Sequence, residues 1–172
     1  LWGVFAEGKL ATLYVTTDGE IVYSIATPSP EQILAIFARY SSLIGHDLKP
    51  LLKELPDPSA ASGHTFFDTR IAAWLANPEQ RDYALGHVAY QLAGTTISED
   101  PAESVQSVWR LKPLLWDRLK SLDLLKIFCD LEMPLLSIFA SMERAGIQVD
   151  TGMIDELLTM ASAELASLEK QI

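Results

Sequence analysis

The chain has 172 residues, of which 49% are apolar and 21% are charged, a balance that is ordinary for a globular domain with a core. Its 23 Asp and Glu residues outnumber its 13 Lys and Arg residues, which gives a net charge of −10. Such a surface repels a phosphate backbone, so the composition argues against an independent nucleic-acid-binding module. No apolar run reaches the roughly 18 residues that would suggest a bilayer-spanning helix, and no secretory leader is visible.

The first residue and the cysteine content indicate whether the chain is a fragment and in which compartment it works. The chain opens at Leu1 without an initiator methionine, so we expect it to be a piece of a longer protein. Its single cysteine, Cys129, excludes an internal disulfide and suits a reducing cytosol. We therefore expect a cytoplasmic protein, with Cys129 as a buried structural thiol in an apolar helical stretch.

The opening residues predict three antiparallel strands and then a helix. The runs 10–15 and 21–26 flank an Asp18-Gly19 pair, and Asp-Gly between strand-prone runs is a strong hairpin signal. Residues 1–6 supply the partner strand. Ser29 is predicted as the N-cap of the helix, with Pro30 as its first residue and Gln32 completing a capping box. The residues expected to face the sheet from this helix are Ile33, Ile36, Phe37 and Tyr40.

Short strands and helices then alternate. The composition predicts a buried strand over 42–47, a short helix over 48–55 with Pro50 near its start, and a loop over 56–63. A strand over 64–69, helices over 70–76 and 82–93, and a loop over 95–104 follow. A long helical region from about 102 to 132 should break near Pro113. This order predicts an α/β layered domain with a mixed sheet.

Two further helices close the sequence. Helix 134–145 carries Leu135, Ile138, Phe139 and Met142 on one face and should end at Gly146. Asp150 is predicted to cap the last helix. Apolar residues of this helix recur at alternating spacings of four and three, as in a coiled coil: Ile154, Leu158, Ala161, Leu165, Leu168 and Ile172. We expect a partner helix for this seam beyond residue 172 or on another molecule.

The most specific motif lies between those helices. Residues 131–150 read LEMPLLSIFASMERAGIQVD, and this run resembles the start of the polymerase domain in family A DNA polymerases. The matching residues are Glu132, Pro134, Leu135, Met142, Glu143, Gly146, Ile147, Val149 and Asp150. Upstream, GHDLKPLL (45–52) resembles the family's second exonuclease motif, and FFDTRIAAWLANP (66–78) resembles the strand and helix that follow it.

The resemblance implies a fold and a parent protein. Residues 1–130 would form a ribonuclease H-like 3′–5′ exonuclease-like domain, an α/β fold whose mixed sheet has antiparallel opening strands and flanking helices. Residues 131–172 would be the helical extension that begins the polymerase domain at the base of its thumb. The parent would be a bacterial DNA polymerase I that acts in DNA replication and repair and uses Mg²⁺. The partners would be the palm and thumb of that chain, with DNA bound through the parent and weakly or not at all by these residues alone.

The nuclease site that the resemblance implies is depleted of its ligands. Active members of the family hold two divalent cations with carboxylates, which come from an Asp-x-Glu on the first strand, an Asp in the second motif and a Tyr-x-x-x-Asp near a late helix. Here the first strand offers Glu7 alone, and Leu51 stands at the Asp position of the second motif, with Asp47 at the upstream Asn position. We therefore expect no catalytic, cofactor-binding or metal site and a catalytically silent domain.

The third motif and the remaining polar and aromatic residues have simple structural interpretations. Ser98 and Ala102 replace the Tyr and Asp of the third motif, with Glu99, Asp100 and Glu103 nearby. Asp47 and Asp68 are predicted as helix caps and Glu7 as a turn residue. The histidines His46, His64 and His87 lack ligand spacing, and the tryptophans Trp74, Trp109 and Trp116 are predicted as core anchors.

Two alternatives stay open. One is an active, metal-dependent 3′–5′ proofreading exonuclease with an atypical carboxylate set, formed by Glu7, Asp47, Asp68 and Glu103. The other is a non-enzymatic helical interaction module whose terminal seam pairs with another protein.

Overall fold

The computed structural model describes residues 1–6, 9–61 and 63–169. Two residues that carried predictions, Glu7 and Ile172, lie outside the described residues. The first sheet contains β1 (Trp2–Ala6), β2 (Lys9–Val15) and β3 (Tyr23–Ala26), with antiparallel β2 at its centre. The Oδ1 atom of Asp18 accepts hydrogen bonds from the N–H groups of Glu20 and Ile21, at 2.9 and 3.0 Å. The predicted three-stranded opening and its turn are confirmed.

A second, parallel sheet pairs β4 (Ser42–Gly45) with β5 (Thr65–Asp68). The described strands therefore form two sheets, where the sequence predicted a single mixed sheet. The two sheets meet where the N–H of Leu1 donates to the carbonyl oxygen of Ile44 at 2.6 Å. A small antiparallel part and a small parallel part thus lie side by side, each covered by helices.

The helices follow the predicted order. Their bounds are α1 (Pro30–Arg39), α2 (Lys49–Lys53), α3 (Thr69–Ala76), α4 (Leu85–Ala93), α5 (Pro101–Ser121), α6 (Leu125–Ile127), α7 (Met133–Ala145) and α8 (Thr151–Glu169). A 3-10 turn covers Pro58–Ala61, and a π-helical segment, Phe128–Glu132, joins α6 to α7. The described chain thus has an α/β fold with little sheet and many helices.

The start of α1 confirms the capping-box prediction. The N–H of Gln32 donates to Oγ of Ser29 at 3.3 Å, and the N–H of Ser29 donates to the Gln32 side chain at 2.8 Å. Ile33 and Phe37 are buried, as expected. The prediction for Tyr40 is wrong, because Tyr40 is the extended C-cap of the helix and its side chain turns outward.

Helix α5 runs through Pro113 without the predicted break. A proline removes one intrahelical hydrogen bond and leaves the carbonyl four residues earlier without its donor. Pro113 lies on the exposed side of α5, where water can solvate that carbonyl. The helical region instead breaks after Ser121, where Asp123 has a φ of 57°.

The core lies between the two sheets and α5. Seven residues of α5 are buried, and Leu115 and Leu119 are fully inaccessible. Phe128 packs against Phe67 of β5 with ring centroids 4.9 Å apart. Burying this much apolar surface is the main stabilising term for such a domain. Helix α5 therefore holds the sheets and the later helices together.

Three residues that were predicted to be buried in the core are exposed. Trp74 and Trp109 are 42% and 39% exposed, and Cys129 is exposed rather than buried. Cys129 falls on the π-helical segment, whose extra residue per turn rotates its side chains away from the α-helical pattern. Trp116 packs half-buried against the core, with the Lys112 ammonium 5.2 Å from its ring centroid.

Helices α7 and α8 differ in how much of their surface packs against the rest of the described chain. Helix α7 buries Met133, Leu136 and Ala140, while its predicted apolar face, with Ile138 and Phe139, is exposed. Helix α8 buries none of its described residues. Its predicted cap is confirmed, since Oδ1 of Asp150 accepts from the N–H of Met153 at 3.1 Å.

Candidate functional site

The candidate site lies at the carboxyl end of the parallel strands, where Asp68 ends β5. The Asp68 side chain is fully buried. Its Oδ1 accepts from the N–H groups of Arg70 and Ile71 at 2.8 and 3.3 Å, so the predicted capping role is confirmed. Asp68 also accepts from the N–H groups of Asp47 (3.1 Å, Oδ1) and Leu48 (2.6 Å, Oδ2). One carboxylate therefore ties α3 to the loop after β4.

Burial perturbs the titration of two groups at this end of the sheet. Removal from water raises the pKa of the Asp68 carboxyl, and its four backbone donors oppose that rise. Burial also lowers the pKa of His46 to about 4. Because the Thr69 hydroxyl donates its proton to the Gly45 carbonyl at 3.1 Å, His46 Nδ1 is the donor in its 2.9 Å contact with Thr69 Oγ1. His46 is thus a neutral ring with a structural role.

Asp47 does not cap α2, contrary to the prediction. The N-cap position belongs to Leu48, which makes no side-chain capping bond. Asp47 adopts a left-handed φ of 56°, which Asp tolerates better than most residues. This conformation points its N–H at Asp68, and its carboxylate pairs with Nη1 of Arg70 at 2.5 Å. Both acidic residues of this region are therefore engaged in holding the chain.

The surroundings of Asp68 are apolar where the family resemblance expects a ligand. Leu51 is 3% exposed and belongs to the core, as does Leu48. A small cavity of about 130 Å³ lies beside Gly3, His46 and Asp47. Across the described ranges, no three His, Cys, Asp or Glu side chains lie close enough to hold a metal ion. Glu7, named in the alternative carboxylate set, lies outside those ranges.

The acidic residues at the start of α5 form hydrogen bonds within that segment, and one of them caps the helix. Asp100 is the N-cap and accepts from the N–H of Ala102 at 2.9 Å. Glu103 accepts from the backbone and hydroxyl of Ser98, and the hydroxyl bond lowers the pKa of Glu103. The structure therefore brings Asp47 and Asp68 together but uses Glu103 within its own loop. Among the described residues, the carboxylates do not fit a pair of divalent cations, because the Asp68 oxygens already accept from backbone N–H groups.

A polar contact between α7 and α2 was not predicted. Glu143 bridges Nζ of Lys49 at 2.6 Å and Nζ of Lys53 at 3.0 Å. Arg144 donates through Nη1 to the Lys53 carbonyl at 3.0 Å and to the Leu55 carbonyl. We call these contacts the junction clamp. The i, i+4 spacing of the two lysines places them on one helix face, but nothing in the sequence indicates their pairing with a residue about ninety positions away.

Apolar contacts lie under the junction clamp. Met133 is 5% exposed and its Sδ accepts from the N–H of Asp68 at 3.5 Å. Helix α7 packs against α2 and the neighbouring 3-10 turn, and its Leu136 and Ala140 are buried. The clamp thus joins the segment with the specific motif to the end of the sheet that carries Asp68.

Comparisons with known proteins agree on one family. DNA polymerase I of Treponema pallidum is 31% identical over 127 residues, which covers 62% of this chain and 13% of the relative. DNA polymerase I of Geobacillus stearothermophilus is 25% identical over 119 residues, covering 69% of this chain and 14% of the relative. The chain is related to DNA polymerase I. It spans about one seventh of the length of these relatives.

A solved structure extends the likeness to the fold. The POL domain of Pol1 from M. smegmatis, in complex with DNA primer-template and dNTP, superposes with a TM-score of 0.70 at 24% identity. The match covers 92% of this chain and 30% of that chain. No family model matches the sequence. Within the described residues, no helix is long and apolar enough to cross a membrane. The likeness to DNA polymerase I therefore includes nearly the whole α/β arrangement.

Proposed function

We propose that this chain is part of a DNA-directed DNA polymerase of the DNA polymerase I type and that its first 130 residues form a catalytically silent exonuclease-like domain. In this proposal residues 1–130 have a ribonuclease H-like fold, and residues 131–172 begin the polymerase domain at the thumb base. The silent domain is a platform that braces the polymerase domain through the junction clamp. The parent works in the cytoplasm and reaches DNA through its other domains.

One observation carries the silent-domain proposal. Asp68, the acidic residue at the carboxyl end of β5, is fully buried and takes four backbone N–H groups. A carboxylate with no exposed surface is not accessible to a hydrated Mg²⁺. Leu51 occupies the position where the resemblance expects another carboxylate, and it is buried. These residues serve folding rather than phosphodiester cleavage.

The bracing role is supported by the contacts of α7. An isolated exposed ion pair adds little stability, but here the junction clamp accompanies the buried side chains of Met133, Leu136 and Ala140. A helix held by both kinds of contact has a fixed direction. The segment that follows α7 is therefore aimed from a rigid base.

A nuclease assay tests the silent-domain proposal. The chain is incubated with 5′-labelled single-stranded DNA and Mg²⁺ or Mn²⁺, beside Asp68→Asn and Asp47→Asn variants whose folding is checked by circular dichroism. We expect release of nucleotides at the same background level from all three proteins. Release by the parent chain that disappears in either folded variant would establish the alternative, an active exonuclease.

Primer extension tests the parent assignment. The longer protein that carries this chain should extend a primed template with deoxynucleoside triphosphates and Mg²⁺, and chelation should stop it. This chain alone should not extend the primer, because the resemblance assigns none of the polymerase active-site motifs to these 172 residues. A longer protein without primer extension would contradict the proposal.

A second candidate, a non-enzymatic interaction module, is favoured by the exposure of every described residue of α8. Sedimentation distinguishes the two. A tight dimer that dissociates in Leu165→Asp would favour the interaction module. A monomer whose α8 exchanges its amide protons quickly would favour the polymerase part.

A further inference from the structure

A cavity larger than the one beside Gly3 lies away from Asp68. Its volume is about 580 Å³, within the range of pockets that bind small organic ligands. It is bounded by the Val15–Tyr23 turn, α1, the first residues of β4 and α5. Asp47 and Asp68, at the carboxyl ends of β4 and β5, do not line this cavity.

The walls of this cavity are apolar and its rim is aromatic. Aliphatic side chains line the interior, among them Ile25, Ile36 and Val108. Three aromatic side chains stand at the opening and remain accessible, with exposed fractions of 56% for Tyr23 and 39% for both Tyr40 and Trp109. Aromatic rings that are accessible beside an apolar hollow are typical of sites for planar or acyl groups.

The charged side chain at the cavity is positive. Among the described lining residues, Arg39 is the one charged side chain and none carries a carboxylate. Arg39 has no ion pair within the described part of the chain, whose salt bridges use Lys49, Lys53 and Arg70. In a chain of net charge −10, an unpaired guanidinium beside an apolar hollow without acids selects for a negative group. Guanidinium bonds to carboxylate or sulfonate are among the stronger hydrogen bonds in proteins.

The cavity is formed in advance by a fixed turn. Nε2 of Gln106 on α5 donates to the carbonyl of Glu20 at 3.0 Å. Gly19 has a φ of 82°, and a Cβ atom there would overlap the Trp109 ring. The turn and the indole therefore hold each other in place. A wall that needs no reorganisation lowers the entropic cost of binding.

We propose that this cavity binds a small amphipathic anion, with a planar aromatic or short acyl body in the hollow and a single carboxylate or sulfonate on Arg39. This site is independent of the proposed polymerase function. The aromatic rim takes the flat face of the ligand, and Arg39 fixes its orientation.

Two naphthalene dyes test the proposal on the intact chain. 8-Anilinonaphthalene-1-sulfonate is the anionic probe, and N-phenyl-1-naphthylamine is its neutral counterpart. We expect saturable fluorescence with one site for the anionic dye. Titration of the ¹⁵N-labelled chain should shift amides of the Val15–Tyr23 turn, α1 and the middle of α5. Unsaturable binding, or shifts confined to the exposed helix α8, would overturn the proposal.

Two variants distinguish the contribution of the Arg39 charge to binding from that of the apolar cavity. Arg39→Gln should weaken the anionic dye about tenfold, as expected for loss of one charge-assisted contact, and leave the neutral dye within about twofold. Ala35→Trp, at an exposed lining position, should fill the cavity and abolish binding of both dyes. Arg81→Gln removes an exposed arginine outside the cavity and should change neither affinity. Equal affinity of Arg39→Gln and the parent chain for the anionic dye would refute the role of Arg39.

Discussion

Helices α5 and α8 have similar lengths, 21 and 19 residues, but opposite surroundings. Both carry apolar residues at helical spacing. Helix α5 buries seven residues between the sheets and the later helices, whereas α8 buries none of its described residues. Helix α7 lies between these extremes, with one packed face and one exposed apolar face. An apolar stripe thus predicts that a helix can be buried, and the presence of a partner decides whether it is.

Matched leucine truncations give the largest expected difference. Leu115 on α5 is inaccessible, and Leu158 on α8 is 63% exposed. Leu115→Ala should lower the free energy of unfolding by about 2–5 kcal/mol, and Leu158→Ala should change it by less than about 0.5 kcal/mol. Urea unfolding followed by circular dichroism measures both. Equal losses would mean that α8 packs against the body in solution.

Three local features were predicted correctly because they depend on neighbouring residues. The Ser29–Gln32 capping box, the Asp18-Gly19 turn and the Asp150 cap each involve groups within four positions of one another. Such signals are complete in a short stretch of sequence. The order of strands and helices followed from them.

Burial was harder to predict because it depends on distant parts of the chain. Trp109 was expected in the core, but it stands at a cavity edge against Gly19, ninety positions earlier in sequence. Pro113 was expected to break α5, but at its exposed position water can solvate the carbonyl that loses its donor, and the helix continues. For the exposed face of α7, the pattern located the apolar residues but not what lies opposite them.

The candidate site was predicted in part. The capping role of Asp68 follows from its place before a helix, and this role is confirmed. Its bonds to Asp47 and Leu48 cross 21 and 20 positions and depend on the parallel pairing of β4 with β5. The left-handed Asp47 and the Glu143 bridge likewise need the folded chain. Expected absences of metal and catalytic groups stay predictions until the nuclease assay is done.

Asp68 and Asp100 allow the same comparison between a buried and an exposed position for a polar side chain. Asp68 is buried with four backbone donors, whereas Asp100 is an exposed cap with one. Asp68→Ala should cost about 2–4 kcal/mol because it leaves buried N–H groups without acceptors. Asp100→Ala should cost about 1 kcal/mol. Thermal and urea unfolding measure both losses. A small effect at Asp68 would mean that water replaces the carboxylate and that the site is more open than it looks.

Arg144 tests how firmly the half-packed helix α7 is held. Its guanidinium donates to the carbonyls of Lys53 and Leu55 at the end of α2. Arg144→Ala should lower stability by about 1 kcal/mol and speed amide exchange in α7 more than in α5. Arg81→Ala, which removes an exposed arginine outside these contacts, is the matched control and should have little effect. Unchanged exchange in α7 would show that the buried side chains of Met133, Leu136 and Ala140 hold the helix without Arg144.

The smallest expected effect is the pH dependence of the junction clamp. Hydrogen bonds from Lys49 and Lys53 lower the pKa of Glu143 below its ordinary value of 4.5. The ionised folded state is therefore favoured, and the contribution of Glu143 is present above pH 4.5 and is lost as the pH falls through the lower folded value. Glu143→Gln should be slightly less stable than the parent chain at pH 7, and the difference should be smaller at pH 3.

The effect of salt and a control variant on α8 show whether the stability difference between Glu143→Gln and the parent chain is electrostatic. Exposed ion pairs are screened, so 1 M NaCl should shrink the pH 7 difference between Glu143→Gln and the parent chain. Glu156→Gln on the exposed helix α8 should match the parent chain at both pH values. If the Glu143→Gln difference persisted at pH 3 and in salt, the ion pairs would contribute nothing. Helix α7 would then be held by Met133, Leu136 and Ala140, and its stability would follow the same apolar packing that distinguishes α5 from α8.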